Sequence, residues 1–188
     1  MNRKFRNLKA EEIQCRIGTI SEKGLSLLLY KDSRADMDIL DETVGPENWM
    51  RDHKELKGNM YCGVGIWDEE KGLFVWKWDC GAESNTEAEK GEASDSFKRA
   101  CVNWGIGREL YSAPFIWISS DKYEQKMNAK NKPTTYDKFY VKKLTYIKDK
   151  DNNDTKQIDA LDIVRVKGNT ETPVFVKMPT QNVKKGDK

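Results

Sequence analysis

Two adjacent cations, Lys98 and Arg99, stand in a stretch whose apolar residues predict one buried helix face. Those residues recur at helical spacing, which is typical of a helix packed on a core. They are Ala93, Phe97, Ala100, Cys101 and Trp104. Two cations beside such a seam can present a compact positive ridge to a chain of phosphates. The composition equally allows two solvated side chains that pair with Asp95.

The ends of this long helix are also marked in the sequence. Thr86 and Glu89 have the spacing of a capping box, in which each side chain accepts from the other residue's backbone amide. Gly105 and Gly107 follow the last apolar residue and permit a left-handed cap. We therefore expect a helix that begins after Thr86 and ends near Trp104.

Catalytic chemistry finds little support in the residue types. The four cysteines lack any Cys-x-x-Cys pair and His53 is the single histidine, so neither a zinc site nor a disulfide framework is predicted. Two triplets, at 69–71 and 124–126, have the Glu-x-Lys letters of metal-dependent nucleases. Such triplets arise by chance in a chain that is 34% charged, and both fall in expected loops. No Gly-rich loop followed by Lys-Ser/Thr is present, which argues against ATP. We expect no enzyme and no cofactor.

The composition indicates one polar domain with an appendage, 188 residues long. No apolar run approaches a membrane span, and the charged N-terminus lacks a signal-peptide core, so we expect a cytoplasmic protein. The net charge is +2, unevenly distributed. Residues 1–121 hold 17 Lys/Arg against 22 Asp/Glu, and residues 122–188 hold 16 against 9. A basic half beside an acidic body fits nucleic-acid contact or simple solubilisation.

The first 120 residues predict mostly short strands and one short helix. Apolar alternation and turn residues mark the segments. We expect strands at 13–20, 25–30, 49–55, 60–67, 73–79 and 114–118. A helix should run from Asp32 or Ser33 to the Gly45-Pro46 stop.

These segments predict an α+β fold: a small antiparallel β-meander (β-β-β-α core) with one long helix packed across it, plus a C-terminal β-hairpin. Trp76 and Trp78 share one strand face. They could be a stacking platform for bases, but we expect them in the core beneath the long helix. Trp49, Trp104 and Trp117 are predicted to be core residues, and His53 a surface residue.

The second half of the chain predicts a separate extension. Residues 121–137 are polar and lysine-rich and predict a flexible basic loop. Runs at 138–148 and 158–166 surround a DKDNND turn, and 172–178 adds a further extended segment. We therefore expect a core domain at 1–120, the loop at 121–137, and a β-hairpin with a basic C-terminal extension at 138–188.

Three blocks of the sequence, in order, resemble phage single-strand annealing proteins, the Sak-type branch of the Rad-fifty-two superfamily. The first block is the entry helix, from Asp32-Ser-Arg34 to Gly45-Pro-Glu-Asn-Trp49. The second is Gly81-Ala-Glu83 with the long helix KGEASDSFKRACVNWGIGRELY, and the third runs from Pro114 to Trp117. The resemblance spans about residues 13–118.

The resemblance implies a β-β-β-α core that assembles side by side into rings or helical oligomers. It implies that single-stranded DNA lies in a positive groove, backbone inward, and that complementary strands are matched without ATP or metal in phage recombination and double-strand break repair. The family's groove cations fall on Lys98 and Arg99, and a further arginine falls on Arg34. Implied partners are single-stranded DNA, further copies of the chain, and a host or phage single-strand-binding protein and exonuclease.

One part of the family pattern is missing. The segment before the long helix, which carries a second DNA site in eukaryotic relatives, is acidic here, and Lys90 is its one cation. A second site would then use Arg51, Lys54, Lys57 or the basic C-terminal half. Three alternatives stay open: an oligomeric single-strand-binding module that protects without annealing, a metal-dependent nuclease, and an oligomeric scaffold for a protein partner.

Overall fold

The computed structural model describes residues 3–82 and 88–180, with the backbone alone for 88–90. The described residues form an α+β fold with mostly antiparallel sheets, which confirms the expected class. The α-helices are α1 (Ser33–Val44) and α2 (Ala88–Trp104). The strands are β1 (Ile13–Ser21), β2 (Gly24–Lys31), β3 (Trp49–Leu56), β4 (Asn59–Asp68), β5 (Leu73–Cys80), β6 (Ile116–Ser119), β7 (Lys126–Met127), β8 (Pro133–Thr134), β9 (Lys138–Lys148), β10 (Asp154–Lys167) and β11 (Thr170–Lys177). Short 3-10 turns are Ala10–Glu12, Pro46–Asn48, Arg108–Ser112 and Ser120–Lys122.

The chain divides into two compact units. The first comprises the N-terminal residues up to Leu8 and residues Lys31–Arg108. The second comprises Lys9–Tyr30 and the residues from Glu109 onward. The expected domains at 1–120, 121–137 and 138–188 stay a prediction, since this division follows spatial contacts and cuts the chain at other points.

The sheet of the first unit is a three-stranded antiparallel sheet of order β3-β4-β5. The register of β3 and β4 runs without a shift from Trp49 opposite Ile66 to Leu56 opposite Asn59. Lys57 and Gly58, with φ of 54° and 75°, make the turn. Two positive φ values are what a type I′ hairpin turn requires, and glycine supplies the second without strain.

The helix α2 covers one face of this sheet. Phe97 and Cys101 are completely buried, which confirms the predicted seam. The Trp104 Nε1 donates to the Val64 carbonyl over 2.9 Å, and the Lys77 Nζ donates to the Asn103 carbonyl over 2.8 Å. The helix therefore lies on the face that carries Val64 of β4. The predicted capping box at Thr86 and Glu89 lies outside the described side chains.

The expectation that Trp76 and Trp78 lie beneath the long helix is wrong. Trp78 pairs across the strands with Gly63, and Trp76 with Gly65, so both rings lie on the face opposite α2. The two rings stack at 5.7 Å between centroids. Strand alternation decides this: Val64 faces the helix, so the neighbouring glycines and their partners face away. The glycines leave room for the rings, because a Cβ at Gly63 would lie 2.5 Å from the Trp78 ring.

The helix α1 begins and ends where the sequence predicts. The Asp32 side chain accepts from the Arg34 amide over 2.9 Å, an N-cap bond that satisfies one free helix donor. The helix stops at Gly45, whose φ is 85°. The buried face of α1 consists of Ala35, Asp36, Ile39 and Leu40.

The second unit contains a six-stranded sheet of order β11-β10-β9-β1-β2-β6. β1 and β9 meet at the pair Gln14 and Tyr140. β10 pairs along most of its length with β9, and from Leu161 to Lys167 with β11. The edge strands β6 and β11 also approach each other, so the sheet curls towards closure. The N-terminal and C-terminal strands thus share one sheet, where the sequence predicts separate segments. Periodicity identifies strands but does not choose their partners.

The tryptophan Trp117 differs from its expected place in a core. It lies on β6 opposite Ser26 and is 40% exposed, while the neighbouring Ile116 and Ile118 are buried. In a strand of period two, the two isoleucines take the inner face and leave Trp117 on the outer one. Phe115 stacks beside it at 6.4 Å between centroids.

Candidate nucleic-acid interface

The predicted cations Lys98 and Arg99 lie on α2 directly after the buried residues Ser96 and Phe97. Lys98 is half-buried and Arg99 is exposed. The Arg99 Nε donates to Asp95 Oδ2 over 2.8 Å, an exposed i,i+4 ion pair. Such pairs contribute little to stability. Arg99 therefore keeps a guanidinium near solvent that can exchange its partner for a phosphate.

A buried ion pair lies beside Lys98. The Lys31 Nζ contacts Asp36 Oδ1, and both side chains are almost completely buried. The same Nζ donates to the backbone carbonyl of Lys98 over 3.4 Å. Lys31 stands two residues before α1 and Asp36 lies in its first turn, so this contact holds the start of α1 against α2 at Lys98.

The carboxyl group of Asp36 is electrostatically unusual. Burial raises its pKa to about 6, against the opposing attraction of Lys31 and Lys98. Its Oδ2 is buried and has no hydrogen-bond partner among the described residues. The sequence analysis missed this pair. A signal existed, because Asp36 stands at helical spacing with Ile39 and Leu40 on the buried face of α1.

The predicted cation Arg34 lies in the first turn of α1, two residues before Asp36. Its side chain is 83% exposed, and its Nε is 3.9 Å from Asp32 Oδ1. Since Asp36 is within electrostatic reach of Lys98, the start of α1 and the middle of α2 adjoin. Arg34 therefore belongs to the helix start that packs against α2 at Lys98.

Lys54 and Lys57 belong to a different surface. Lys54 lies on the sheet face opposite α2, with its Nζ 4.5 Å from the centre of the Trp78 ring and 3.5 Å from Asp52 Oδ2. Lys57 is exposed in the β3–β4 turn. Lys54 is therefore separated by the sheet from the cations of α2. The side chain of Lys90 lies outside the described residues.

Arg51, considered as a substitute cation, lies on the α2 side of the sheet. Its guanidinium carbon is 5.2 Å from the centre of the Phe97 ring. A cation over an aromatic face is held electrostatically by the ring. Arg51 therefore adds a cation on β3, next to α2. His53, on the same side of β3, is exposed as predicted.

The two nuclease-like triplets lie in turns and short strands. Glu69 and Lys71 are exposed between β4 and β5. Glu124 contacts Lys126 at 3.2 Å and Lys167 at 2.8 Å, and these two lysines lower its pKa. Within residues 3–82 and 88–180, no three His, Cys, Asp or Glu side chains are placed to hold a metal ion. No helix in this same part of the chain is long and apolar enough to cross a membrane.

The family model described as "Rad52/22 family double-strand break repair protein" matches residues 4–129, more than half of the chain. The chain belongs to the Rad52/22 family. This confirms the resemblance at the level of the superfamily. The matched Rad52/22 range contains α1, the three-stranded sheet and α2, and therefore all six predicted cations.

One curated relative agrees with this assignment. The chain is 37% identical over 101 residues to the single-stranded DNA-binding protein DdrA of Deinococcus radiodurans. The match covers 50% of this chain and 45% of that relative, so the chain spans less than half the length of the relative. No solved structure gives a significant match.

Proposed function

We propose that this Rad52/22 family chain is a homo-oligomeric, non-enzymatic protein that binds single-stranded DNA and anneals complementary strands without ATP in phage recombination and double-strand break repair. The observation that carries the proposal is the packing of the start of α1, which carries the exposed Arg34, against α2 at Lys98, inside the family's matched range. The name of the relative, a single-stranded DNA-binding protein, supports the same substrate.

The chemistry of these three cations suits the DNA backbone. Arg99 and Arg34 are exposed and can form forked contacts with phosphate oxygens, while Lys98 supplies a point charge. Each phosphate neutralised releases condensed counterions, so binding weakens as salt rises. Contacts to phosphate carry no sequence information. The bases stay free to test a complementary strand, which annealing requires.

Several copies of the chain are needed for tight binding. Three cations on one protomer neutralise few phosphates, and the resulting affinity is low. Linking protomers side by side converts later contacts into intramolecular ones and raises the overall affinity strongly. We therefore propose that an oligomer, ring or helix, is the form that anneals.

The remaining predicted cations have a secondary role in this proposal. Lys54, Lys57 and Lys90 would contact a second strand. Residues 1–120 would carry annealing, the segment 121–137 would connect, and residues 138–188 would add non-specific basic affinity. A host or phage single-strand-binding protein and an exonuclease would work alongside.

The test is annealing of two labelled complementary oligonucleotides, without ATP or magnesium, across about 50 to 200 mM salt. We expect rapid pairing that fades with salt. The double variant Lys98→Ala/Arg99→Ala should keep its oligomeric state but lose annealing, and the salt slope of single-strand binding should fall by about 0.7 for each phosphate that the variant no longer neutralises. The matched control is Lys23→Ala/Lys71→Ala, which removes two exposed lysines outside the predicted site.

The outcomes separate the alternatives. Normal annealing by the Lys98/Arg99 variant would place the groove elsewhere. Single-strand binding by the unaltered chain without annealing would leave a protective binding module. A strict need for a divalent metal with strand cleavage would support the nuclease, and failure to bind DNA would support the scaffold.

A further inference from the structure

In the part of the chain that the structure describes, β3 is an edge strand whose outer side pairs with no other strand. In the three-stranded sheet, its ladder partner is β4. All seven residues from Met50 to Leu56 are exposed. An exposed edge presents unpaired amides and carbonyls to any strand that fits.

The outward backbone groups of β3 can be identified from β4. The Met60 amide donates to Glu92 Oε1 over 2.6 Å, and its carbonyl accepts from the Gly81 amide over 2.9 Å. Both groups of Met60 therefore point away from β3. In an antiparallel ladder its partner Glu55 must then point its own amide and carbonyl outward, and alternation adds His53 and Arg51.

We propose that β3 pairs antiparallel with β3 of a second copy of this chain, about a two-fold axis at His53. The sequence of the strand is complementary to itself in this register. Arg51 of each copy faces Glu55 of the other, and Asp52 faces Lys54. At the ends, Met50, which is 41% exposed, faces Leu56, which is 57% exposed. Apart from His53, which faces its own counterpart, every pair thus joins opposite charges or two apolar groups, which stabilises neighbouring strands.

Neighbouring registers do not satisfy these conditions. A shift of one residue sets the outward groups of one strand against the inward groups of the other, so the ladder hydrogen bonds cannot form. A shift of two residues keeps the hydrogen bonds but places Asp52 opposite Asp52, or Lys54 opposite Lys54. Like charges directly opposite each other destabilise a sheet. The register about His53 is therefore selected by charge.

The side chains also lie on the faces that this pairing needs. Lys54 and Asp52 are on the face of Trp78, 3.5 Å apart in one chain. Across the axis they would meet the same pair of the second copy and form a ladder of four alternating charges. Arg51 and Glu55 point to the α2 face and form their own cross-pairs there. The product is a six-stranded sheet with isologous symmetry.

Charged residues on an edge strand commonly prevent pairing. Protection against pairing explains why β3 carries exposed charges, but it does not explain their order. Charges in any other order along the strand would hinder the pairing of a foreign strand equally well. Here the order Arg-Asp-His-Lys-Glu matches a second copy of the same strand. This inference involves no DNA and does not depend on the proposed function.

The first test is a site-specific cross-link in the full chain. Directly opposite residues in a hydrogen-bonded pair lie about 5.5 Å apart at Cα, within the range of a disulfide. Under mild oxidation we expect His53→Cys to form an intermolecular disulfide, identified by mass spectrometry of the linked peptide. The control Glu55→Cys should not, because its two copies lie about four residues apart along the strands, roughly 13 Å.

The second test reverses charges in the His53→Cys background. Asp52→Lys alone and Lys54→Asp alone should each lower the cross-link yield about tenfold, because symmetry places two like-charged pairs in each interface. The double reversal Asp52→Lys/Lys54→Asp restores opposite charges and should restore the yield. Circular dichroism checks that each variant is folded.

Three results would overturn the proposal. One is a folded His53→Cys variant that gives no intermolecular disulfide. Another is an equal yield from Glu55→Cys, which would indicate random collisions. The last is a double reversal that behaves like the single ones, because the charges would then act by some means other than facing each other.

Discussion

The carboxyl group of Asp36 links charge to stability in the first unit. Its pKa is raised by burial from 3.8 to about 6, so the folded state favours the neutral acid. The contribution of this group to the free energy of unfolding is therefore fully present below pH 3.8 and is lost as pH rises through 6. Over that window the loss amounts to about 3 kcal/mol. Lys31 limits the loss by pairing with the ionised form.

The variant Lys31→Met tests this pair. It keeps the aliphatic length that packs against Gly107 but leaves the ionised Asp36 buried and without its cation. We expect a loss of about 3–5 kcal/mol at pH 8, measured by urea unfolding. The loss should be smaller at pH 5, because Asp36 in the variant takes up a proton more readily. Lys71→Met, which removes an exposed lysine paired with Asp68, should change stability by less than about 1 kcal/mol. A pH-independent loss would contradict the assignment.

At the scale of elements, the three-stranded sheet depends on glycines as much as on its large residues. Gly63 and Gly65 hold the rings of Trp78 and Trp76 flat against β4. The alternation of residues along β5 predicts correctly that Trp76 and Trp78 share a face. It does not predict which face α2 covers, because both faces of β4 and β5 carry apolar residues. The packing of Trp104 and Phe97 on the side of Val64 determines which face of the sheet α2 covers.

Gly63→Ala tests this arrangement. The new methyl group would overlap the Trp78 ring, and we expect a loss of about 1–3 kcal/mol in the free energy of unfolding. In the background Trp78→Leu the same substitution should cost clearly less, since the ring is gone. Denaturant unfolding of the unaltered chain, the two single variants and the double variant gives the coupling free energy between Gly63 and Trp78. Equal costs in both backgrounds would show that the ring does not press on Gly63.

For the whole molecule, the position of the C-terminal half changes how its role is tested. The strands β9, β10 and β11 form half of the six-stranded sheet, and Leu161 and Ile163 within β10 are completely buried. The extension expected from the sequence is in this respect part of a core. Its excess of basic residues is carried by a folded sheet and not by a tail alone.

Truncation after Tyr136 should therefore damage the fold and not merely the affinity for DNA. We expect loss of cooperative unfolding of the second unit, seen by circular dichroism and calorimetry. The charge is better tested with Lys138→Gln/Lys142→Gln/Lys143→Gln, which alters exposed positions of β9. This variant should stay folded and bind single strands more weakly at low salt. A truncated chain that unfolds cooperatively with the native midpoint would contradict the expectation.

The sequence by itself determined the local structure and the family. Helical spacing marked α2 and its buried seam, Asp32 and Gly45 marked the ends of α1, and turn residues marked the strands, because these signals act between residues close in the chain. The three blocks of resemblance identified the superfamily that the comparison with family models confirmed.

Tertiary structure alone decided which segments meet. It joined strands from both ends of the chain in one sheet, placed Trp76 and Trp78 on the side of the sheet away from α2, and buried Lys31 with Asp36 beside Lys98. Each outcome depends on contacts between residues distant in the chain. The free energies of loop closure, of burying one sheet face and of desolvating charges together determine which contacts form. The periodicity of one segment does not predict these free energies, because they depend on the other segments.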